Sequence, residues 1–276
     1  MPKVIAALPS YNMYPQLANL LPQLLAQDFD AIFMLDDHSR DHTAQKVKDN
    51  FKTVKVVEGV TNVGSAGNRN RILPALTANG FDMTTIIVFI DADVTLVNDK
   101  PIARTVKELF KKYPSCGMIG GQVLNADGSW SAFNYGPLPL WRWMRTSSRQ
   151  LKLENLRTSD PKTSMKGWQE QSKALEGWPN PFQKPAVKEV GWLVENFIFI
   201  RAATFAQVGG YDSSLRYCEA LDMGEKLGAL GLASVFDPSL VIKHLQIDNR
   251  GWHRNVEVFR AVLRLAGRHI WRHLYS

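Results

Sequence analysis

Apolar runs alternate with helical patterns along the first half of the chain. Four short runs rich in β-branched and aromatic residues predict buried strands, at residues 4–9, 31–36, 54–59 and 86–93. Apolar residues with helical spacing predict helices between and after them, at residues 14–27, 44–51 and 100–113 and after the glycines of NVGSAGNRN. This alternation predicts an α/β fold, a mostly parallel sheet with helices on both faces.

The second half begins with a long segment that lacks a clear period. Residues 125–190 are rich in Pro, Gly and Trp and are predicted to be irregular, and six of the eight tryptophans lie between Trp130 and Trp192. Order returns with VGWLVENFIFI, which predicts one strand, followed by a helix that ends at Gly209–Gly210. A helix at about residues 219–230 and a strand that leads to His244 are predicted next.

Composition indicates an ordinary globular protein. The chain has 276 residues, of which 45% are hydrophobic and 21% charged. That length fits one large α/β domain or two small ones, and no apolar run reaches the eighteen or so residues that a membrane span needs. Two cysteines exclude a disulfide framework, so we expect a reducing, cytoplasmic location.

Positive charge is concentrated at the C-terminal end. The formal net charge is +7, and residues 243–276 contribute +5 of it, seven Lys and Arg against two acids. The nearly neutral remainder argues against a nucleic-acid partner. Helical spacing of apolar residues from Phe259 to Ile270, beside Arg260, Arg264, Arg268 and Arg272, predicts a basic amphipathic helix in residues 246–276. Such a helix can lie on the inner face of an anionic membrane, or pack on the domain with a solvated arginine face.

Polar residues follow each of the four predicted strands. Ser10, Tyr11 and Asn12 follow the first, Asp36 and Asp37 the second, Asn62 and Gly64 the third, and Asp91 and Asp93 end the fourth. In parallel sheets ligands bind beyond the carboxyl ends of the strands, so these residues predict one site. Turn chemistry alone would also explain Asn62 and Gly64, and a helix N-cap would explain Asp37.

The stretch IDAD pairs two carboxylates around Ala92. Mg²⁺ and Mn²⁺ are usually held by one or two carboxylates together with substrate phosphates, so Asp91 and Asp93 predict a site for either cation. His244 is a suitable further ligand for Mn²⁺. The alternatives are that the two aspartates cap a loop and that His244 is a hydrogen-bonded histidine at a strand end.

Several stretches, in this order, resemble family 2 glycosyltransferases of the GT-A fold: ALPSYN, LDDHSRDHT, NVGSAGNRN, IDAD, IRAATFAQVGGYD, CEALDM and VIKH. The resemblance covers about residues 3–245. It implies a nucleoside-diphosphate sugar as donor, with a UDP-sugar as the family's expectation, and an inverting transfer of the sugar to a hydroxyl group.

The resemblance also assigns residues to the donor and to the metal. Pro9 and Tyr11 would flank the nucleoside, Asp37 would recognise the base with support from Asp36, and Arg69 and Asn70 would lie near the donor. Asp91 and Asp93, with Ala92 between them, match the metal and ribose motif, and His244 matches a histidine that contacts the metal or diphosphate. Asn62 and Gly64 complete the expected donor site.

The sequence departs from the family at the catalytic base. An inverting transfer needs a carboxylate to accept the proton of the attacking hydroxyl. The family usually supplies an Asp at the position of Ala220, in the stretch Glu219-Ala220-Leu221-Asp222. Glu219, Asp222 or Glu195 are the candidates to replace it. Otherwise the protein binds a donor but is catalytically impaired. A nucleotidyltransferase is a further alternative, although PSYNMYPQ lacks that class's Gly-rich basic loop.

The tryptophan-rich segment lies where the family places its acceptor loops. Because indole faces stack on sugars, Trp130, Trp168, Trp178 and Trp192 are predicted to contact a glycan or lipid-linked acceptor, with core packing as the alternative. The predicted domain is therefore residues 1–245, with a nucleotide-sugar half (1–124) and an acceptor half (125–245), followed by the basic helix.

Overall fold

The computed structural model describes residues 2–97, 100–245 and 253–275. Nine strands of this part of the chain form one sheet, in the order β3-β2-β1-β4-β10-β6-β11-β5, with β8 paired to β11. The strands before the midpoint are β1 (Val4–Ser10), β2 (Ala31–Asp36), β3 (Lys55–Glu58), β4 (Ile86–Ile90), β5 (Val94–Leu96) and β6 (Cys116–Leu124). The later ones are β7 (Tyr135–Gly136), β8 (Lys188–Val190), β9 (Trp192–Leu193), β10 (Phe197–Arg201) and β11 (Ala233–His244). A separate two-stranded sheet joins β7 and β9.

Helices cover both faces of this sheet, as the sequence predicts. In β1, Val4, Ala6 and Leu8 face one hydrophobic core, whereas Ile5 and Ala7 face a second. The first core is covered by α1 (Tyr14–Leu25), α2 (Thr43–Asn50) and α5 (Ile102–Lys112). The second is covered by α3 (Gly64–Asn70), α4 (Ile72–Ala78), α8 (Ala202–Gln207) and α9 (Glu219–Ala229). The predicted α/β class is confirmed.

One antiparallel strand joins the two halves of the sheet. β10 lies between β4 and β6 and runs antiparallel to both, whereas β1, β2, β3, β4, β6 and β11 are parallel to one another. The sheet is therefore continuous across residue 124. The division into a nucleotide-sugar half and an acceptor half remains a prediction.

Two predicted strands are interrupted at polar residues. The run at residues 86–93 ends as a strand at Ile90, and Asp91, Ala92 and Asp93 form the turn before β5. The predicted strand VGWLVENFIFI is likewise divided into β9 and β10, so that Glu195 lies in the connection between them. In both cases the residues with carboxylate side chains, Asp91, Asp93 and Glu195, lie in the connection between two strands and not within a strand.

The prediction of an irregular segment at residues 125–190 was wrong. It contains α6 (Leu140–Ser159) and α7 (Pro161–Glu170). The buried face of α6 includes Thr146 and Gln150, which hides the apolar period. Both side chains are hydrogen-bonded: Thr146 Oγ1 accepts from Trp178 Nε1 at 2.8 Å, and Gln150 Nε2 donates to the carbonyl of Ala132 at 2.6 Å.

The C-terminal helix, α10 (His253–Tyr275), packs on the domain. Ala261 and Leu265 are buried in a third core together with Leu140, Trp168 and Trp192. The guanidinium groups of Arg264 and Arg268 bond to other elements, whereas Arg260 is exposed. The side chain of Arg272 lies outside the described residues. Packing on the domain, one of the two predicted arrangements, thus holds for the described part of this helix.

Among the described residues, no helix combines the length and the apolar character that crossing a bilayer requires.

Candidate active site

A cavity of about 1740 Å³ opens beyond the carboxyl ends of β1, β2 and β4. Its lining contains eleven of the residues singled out in the sequence: Pro9, Ser10, Tyr11, Asn12, Asp37, Asn62, Gly64, Asp91, Ala92, Asp93 and His244. The parallel strands place these side chains together although they are spread over most of the chain. The cavity is therefore the candidate site.

The loops after β1 and β2 are joined to each other at its edge. Asn12 adopts a left-handed backbone (φ 55°), and its side-chain oxygen accepts from the amide of Arg40 at 2.8 Å. The amide of Asn12 in turn donates to Ser39 Oγ at 2.9 Å. Asp36 is buried and accepts from the amide of Ser39 at 2.9 Å, so it supports the loop and does not line the cavity as described.

Asp37 is bonded to the loop before α3. Its two carboxylate oxygens accept from the amides of Val63 and Gly64 at 2.9 and 2.8 Å, and Arg71 adds an ion pair at 3.1 Å. Gly64 has a positive φ of 79°, which a residue with a Cβ rarely adopts. Asp37 is not the N-cap of α2, because His42 occupies that position. Its carboxylate instead fixes the shape of the cavity edge.

Asp91 lies between a buried arginine and an asparagine. Arg69 Nη2 donates to one carboxylate oxygen at 2.6 Å, and Asn196 Nδ2 donates to the other at 2.6 Å. Arg69 is 2% exposed and also donates to Ser65 Oγ. Burial alone would lower the pKa of Arg69, but the charges of Asp91, Glu195 and Glu219 and the nearby Tyr211 raise it. This arginine orients Asp91 from behind the cavity wall.

Asp91, Asp93 and His244 form a cluster that can hold a cation. One ligand atom from each lies within 4.8 Å of the others, and His244 Nε2 is 3.2 Å from Asp93 Oδ1. Burial would lower the pKa of His244, but its hydrogen bond with Asp93 and the charges of both aspartates raise it overall. Two carboxylates and an imidazole facing a cavity fit Mn²⁺, and with less preference Mg²⁺. The structure thus brings together the three residues that the sequence suggested for the cation.

Arg69 and Asn70 lie behind the cavity wall. Asn70 bonds twice to the backbone of Tyr211: its amide nitrogen donates to the carbonyl, and its oxygen accepts from the amide, both at 2.8 Å. Neither residue belongs to the cavity lining of the described chain. Both residues were expected near the donor. In the structure Arg69 instead holds Asp91 from behind, and Asn70 holds Tyr211 in the segment before α9.

The three candidate bases also lie behind the wall rather than in the lining of the described cavity. Asp222 is held by two cations: Arg268 Nη1 donates to Oδ1 at 2.8 Å, and Lys226 Nζ is 2.8 Å from Oδ2. Glu219 is 6% exposed at the start of α9. Glu195 is flanked by the lining residues Val194 and Asn196, and burial and the neighbouring Glu219 raise its pKa well above its ordinary value despite the opposing charge of Arg69.

The four predicted acceptor tryptophans do not line the described cavity. Trp168, Trp178 and Trp192 are at most 7% exposed and belong to the third core, where Trp178 and Trp192 meet edge to face at 5.8 Å. Trp130 is half-buried beside the second core. Core packing accounts for the three buried indoles, and the acceptor contacts predicted for all four have no support from the cavity lining.

Part of the cavity lining is built from residues that the sequence did not single out. Glu154 and Arg157 of α6 form an ion pair at 2.7 Å, and Asn125 and Asp127 follow β6. Arg216, near the start of α9, also lines the cavity, with Nη1 3.4 Å from Asn62 Oδ1. Glu154 and Arg157 could have been identified from the helical period of α6 if its partly polar buried face had been recognised in the sequence.

Known proteins with similar sequences and folds are glycosyltransferases. The chain is 24% identical over 261 residues to the N-acetylglucosaminyl-diphospho-decaprenol L-rhamnosyltransferase of Mycobacterium tuberculosis (strain CDC 1551 / Oshkosh), a match that covers 88% of this chain and 76% of that protein. Its fold resembles that of the mannosyltransferase PcManGT from Pyrobaculum calidifontis in complex with GDP-Man and Mn²⁺ (TM-score 0.59, 16% identity, 98% of this chain and 64% of that one).

A second structural match is GalNAc-T7 with UDP, GalNAc and Mn²⁺ (TM-score 0.59, 14% identity, 89% of this chain and 44% of that one). The chain thus spans less than two thirds of either solved chain. These likenesses show the GT-A fold. Residues 6–167, more than half of the chain, match the family described as Glycosyl transferase family 2. The chain therefore belongs to glycosyltransferase family 2.

Proposed function

We propose that this protein transfers a sugar from a nucleoside-diphosphate sugar to a hydroxyl group of a glycan or lipid-linked acceptor, with inversion and with a divalent cation. The observation that carries this proposal is the cluster of Asp91, Asp93 and His244 in the wall of the cavity. When bound there, Mn²⁺ or Mg²⁺ would neutralise charge that develops on the departing diphosphate.

The remaining donor contacts follow from the cavity lining. Pro9 and Tyr11 can flank the nucleoside, and Tyr11 is 40% exposed and available to stack. The loop of Asn62 and Gly64, held by Asp37, and the guanidinium of Arg216 lie on one side of the cavity, where a cation favours phosphate oxygens. Asn196 keeps Asp91 in place through its 2.6 Å bond.

The acceptor is proposed to be lipid-linked, because the mycobacterial relative is named for a decaprenol-linked acceptor. A protein that uses such an acceptor would work at the inner face of the membrane. The exposed Phe259, Arg260 and Leu263 of α10 support a peripheral contact with anionic lipid.

Glu219 remains the first candidate for the base, with Glu195 the second. Asp222 is less suited, since Arg268 and Lys226 occupy both of its oxygens. A donor-binding protein with impaired catalysis is the alternative. It is favoured by Ala220 and by the position of all three candidate carboxylates behind the cavity wall of the described chain.

Thermal unfolding in the presence of UDP, GDP, dTDP and CDP, each with and without Mn²⁺, tests the donor site. A ligand at 100 times its Kd stabilises the native state by about 2.7 kcal/mol. We expect one nucleotide to raise the Tm only when Mn²⁺ is present, and Asp93→Ala to abolish this rise. Asp49→Ala, on the exposed face of α2 and outside the cavity lining, is the matched control.

No stabilisation by any nucleotide would overturn the glycosyltransferase proposal.

Transfer assays separate the two versions of the function, an active enzyme and a donor-binding protein with impaired catalysis. An active enzyme should lose about 10²–10⁴-fold in kcat on replacement of its base while its nucleotide-dependent Tm shift persists. Glu219→Gln and Glu195→Gln are compared for that loss. Stabilisation by a nucleotide without transfer to any acceptor would favour the impaired homologue.

A further inference from the structure

The outer face of α6 is defined here as Trp141, Met144, Arg145, Ser148, Arg149 and Lys152. These residues recur at helical spacing and are all exposed. The opposite face is buried through Leu140, Thr146, Gln150 and Leu153. At 1.5 Å per residue this 20-residue helix is about 30 Å long, so its outer face is an extended surface.

The outer face of α6 is both apolar and basic. Trp141 is 59% exposed and Met144 is 48% exposed, and these two large apolar side chains lie three residues apart on the same face of the helix. The Arg145 guanidinium lies 5.6 Å from the centre of the Trp141 ring. Residues 140–153 contain no Asp or Glu. An amphipathic tryptophan beside cations is typical of a surface that meets lipid head groups.

A groove beside this face continues its positive charge. It has a volume of about 500 Å³ between α6 and α7 and is lined by Arg149, Lys152 and Lys166, together with Glu170. Lys166 and Glu170 form an ion pair at 3.7 Å, which leaves the charges of Arg149 and Lys152 to dominate. Phosphate oxygens of a lipid head group are the ligands that such cations favour.

We propose that the outer face of α6 rests on an anionic lipid bilayer, with Trp141 and Met144 entering the head-group region and Arg145, Arg149 and Lys152 contacting lipid phosphates. The partner is a bilayer because the charge is complementary and the exposed apolar residues lie among the cations. Phe259, Arg260 and Leu263 of α10 can join this contact, but Arg264 and Arg268 of that helix bond to the domain, so we expect α6 to contribute more of the binding.

The position of α6 gives this contact a use. The inner, C-terminal part of the same helix contributes Glu154, Asn155 and Arg157 to the cavity. A helix that lies on the bilayer and also lines the cavity would hold the opening close to the lipid surface. This role for α6, holding the cavity opening near the lipid, rests on the proposed function and its lipid-linked acceptor. The bilayer contact itself does not.

Flotation of the full chain with vesicles tests the contact without a donor or acceptor. We expect binding to vesicles of phosphatidylcholine with phosphatidylglycerol, little binding to phosphatidylcholine alone, and release by salt. In the triple variant Arg145→Gln, Arg149→Gln and Lys152→Gln, affinity should fall about 100-fold, because each basic residue near anionic lipid is worth about fivefold. Trp141→Ser with Met144→Ser should also weaken binding.

The control triple variant is Lys100→Gln, Arg104→Gln and Lys111→Gln, which removes the same charge from exposed positions at α5 and should bind like wild type. Circular dichroism and Tm confirm that each variant is folded. The proposal is overturned if the α6 triple variant binds as wild type does, if the control triple loses as much affinity, or if only Phe259→Ser with Leu263→Ser on α10 abolishes binding. Nucleotide-dependent Tm shifts report separately on the proposed function.

Discussion

Carboxylates of this site differ in their surroundings far more than in their residue type. Asp37 accepts hydrogen bonds from backbone amides, and Asp91 accepts hydrogen bonds from Arg69 and Asn196. Asp222 forms ion pairs with Lys226 and Arg268. The sequence identified all of these as candidates from their order along the chain. It could not separate them, because the deciding contacts join residues as far apart as Asp91 and Asn196.

Glu195→Gln tests the electrostatics of the buried cluster. Burial and Glu219 raise the pKa of Glu195, with Asp91 and Asp222 adding to the rise and Arg69 opposing it. The native state therefore keeps a proton that the unfolded chain loses near pH 4.3, so the free energy of unfolding falls as pH rises above that value. Each pH unit of that window contributes up to about 1.4 kcal/mol, and the glutamine variant should lack this contribution.

Denaturant unfolding of both proteins between pH 4 and pH 8 measures this difference. Glu189→Gln, at an exposed position of β8, is the control and should follow the wild-type curve. Parallel curves for wild type and Glu195→Gln would mean that folding does not raise the pKa of Glu195, in contradiction to the expected direction.

At the scale of elements, the strands near the N-terminus were predictable and α6 was not. β1 and β2 are buried on both faces, so each is a continuous apolar run that the sequence shows directly. α6 buries Thr146 and Gln150, whose side chains bond to Trp178 and to the carbonyl of Ala132, 32 and 18 residues away along the chain. Periodicity fails where hydrogen bonds replace apolar contacts on a buried face.

Arg268 is expected to fix α10 on the domain. Its guanidinium bonds to Asp212 and Asp222, so Arg268→Gln would leave Asp222 with less neutralising charge in a buried position. Because Arg268 is itself partly exposed, we expect a modest cost of about 1–2 kcal/mol. Hydrogen exchange across residues 257–268 should accelerate.

Arg260→Gln is the matched control for this helix. Arg260 is exposed and pairs with Glu257 in the preceding turn of the same helix, so its replacement should change hydrogen exchange little. Equal acceleration in the two variants would show that charge on the helix, and not the bond to the domain, determines its docking.

At the scale of the whole molecule, the class of fold was predictable but the order of the strands was not. Alternating strands and helices indicated a parallel sheet, and the family resemblance implied a GT-A fold. The insertion of β10 between β4 and β6 depends on pairing between segments that are about 100 residues apart. The site partly followed from the strand ends, whereas its wall of Glu154 and Arg157 depended on the unrecognised α6.

The continuous sheet predicts that both halves unfold together. All eight tryptophans lie at residue 130 or later, so native fluorescence reports only on the second half. A tryptophan introduced in the first half by Phe51→Trp, at a half-buried position beside the first core, provides the missing reporter. Its denaturant midpoint should coincide with that of the native tryptophans. Two separate midpoints would instead divide the domain near residue 124.

The cation cluster draws its ligands from two distant parts of the chain. Asp93 follows β4, whereas His244 ends β11 and lies 151 residues further along the chain. In an unfolded chain these groups would be far apart, so the proposed Mn²⁺ site would reach its full affinity only after β11 has joined the sheet. The rate at which a refolding chain binds the ion would therefore report the rate at which β11 joins the sheet.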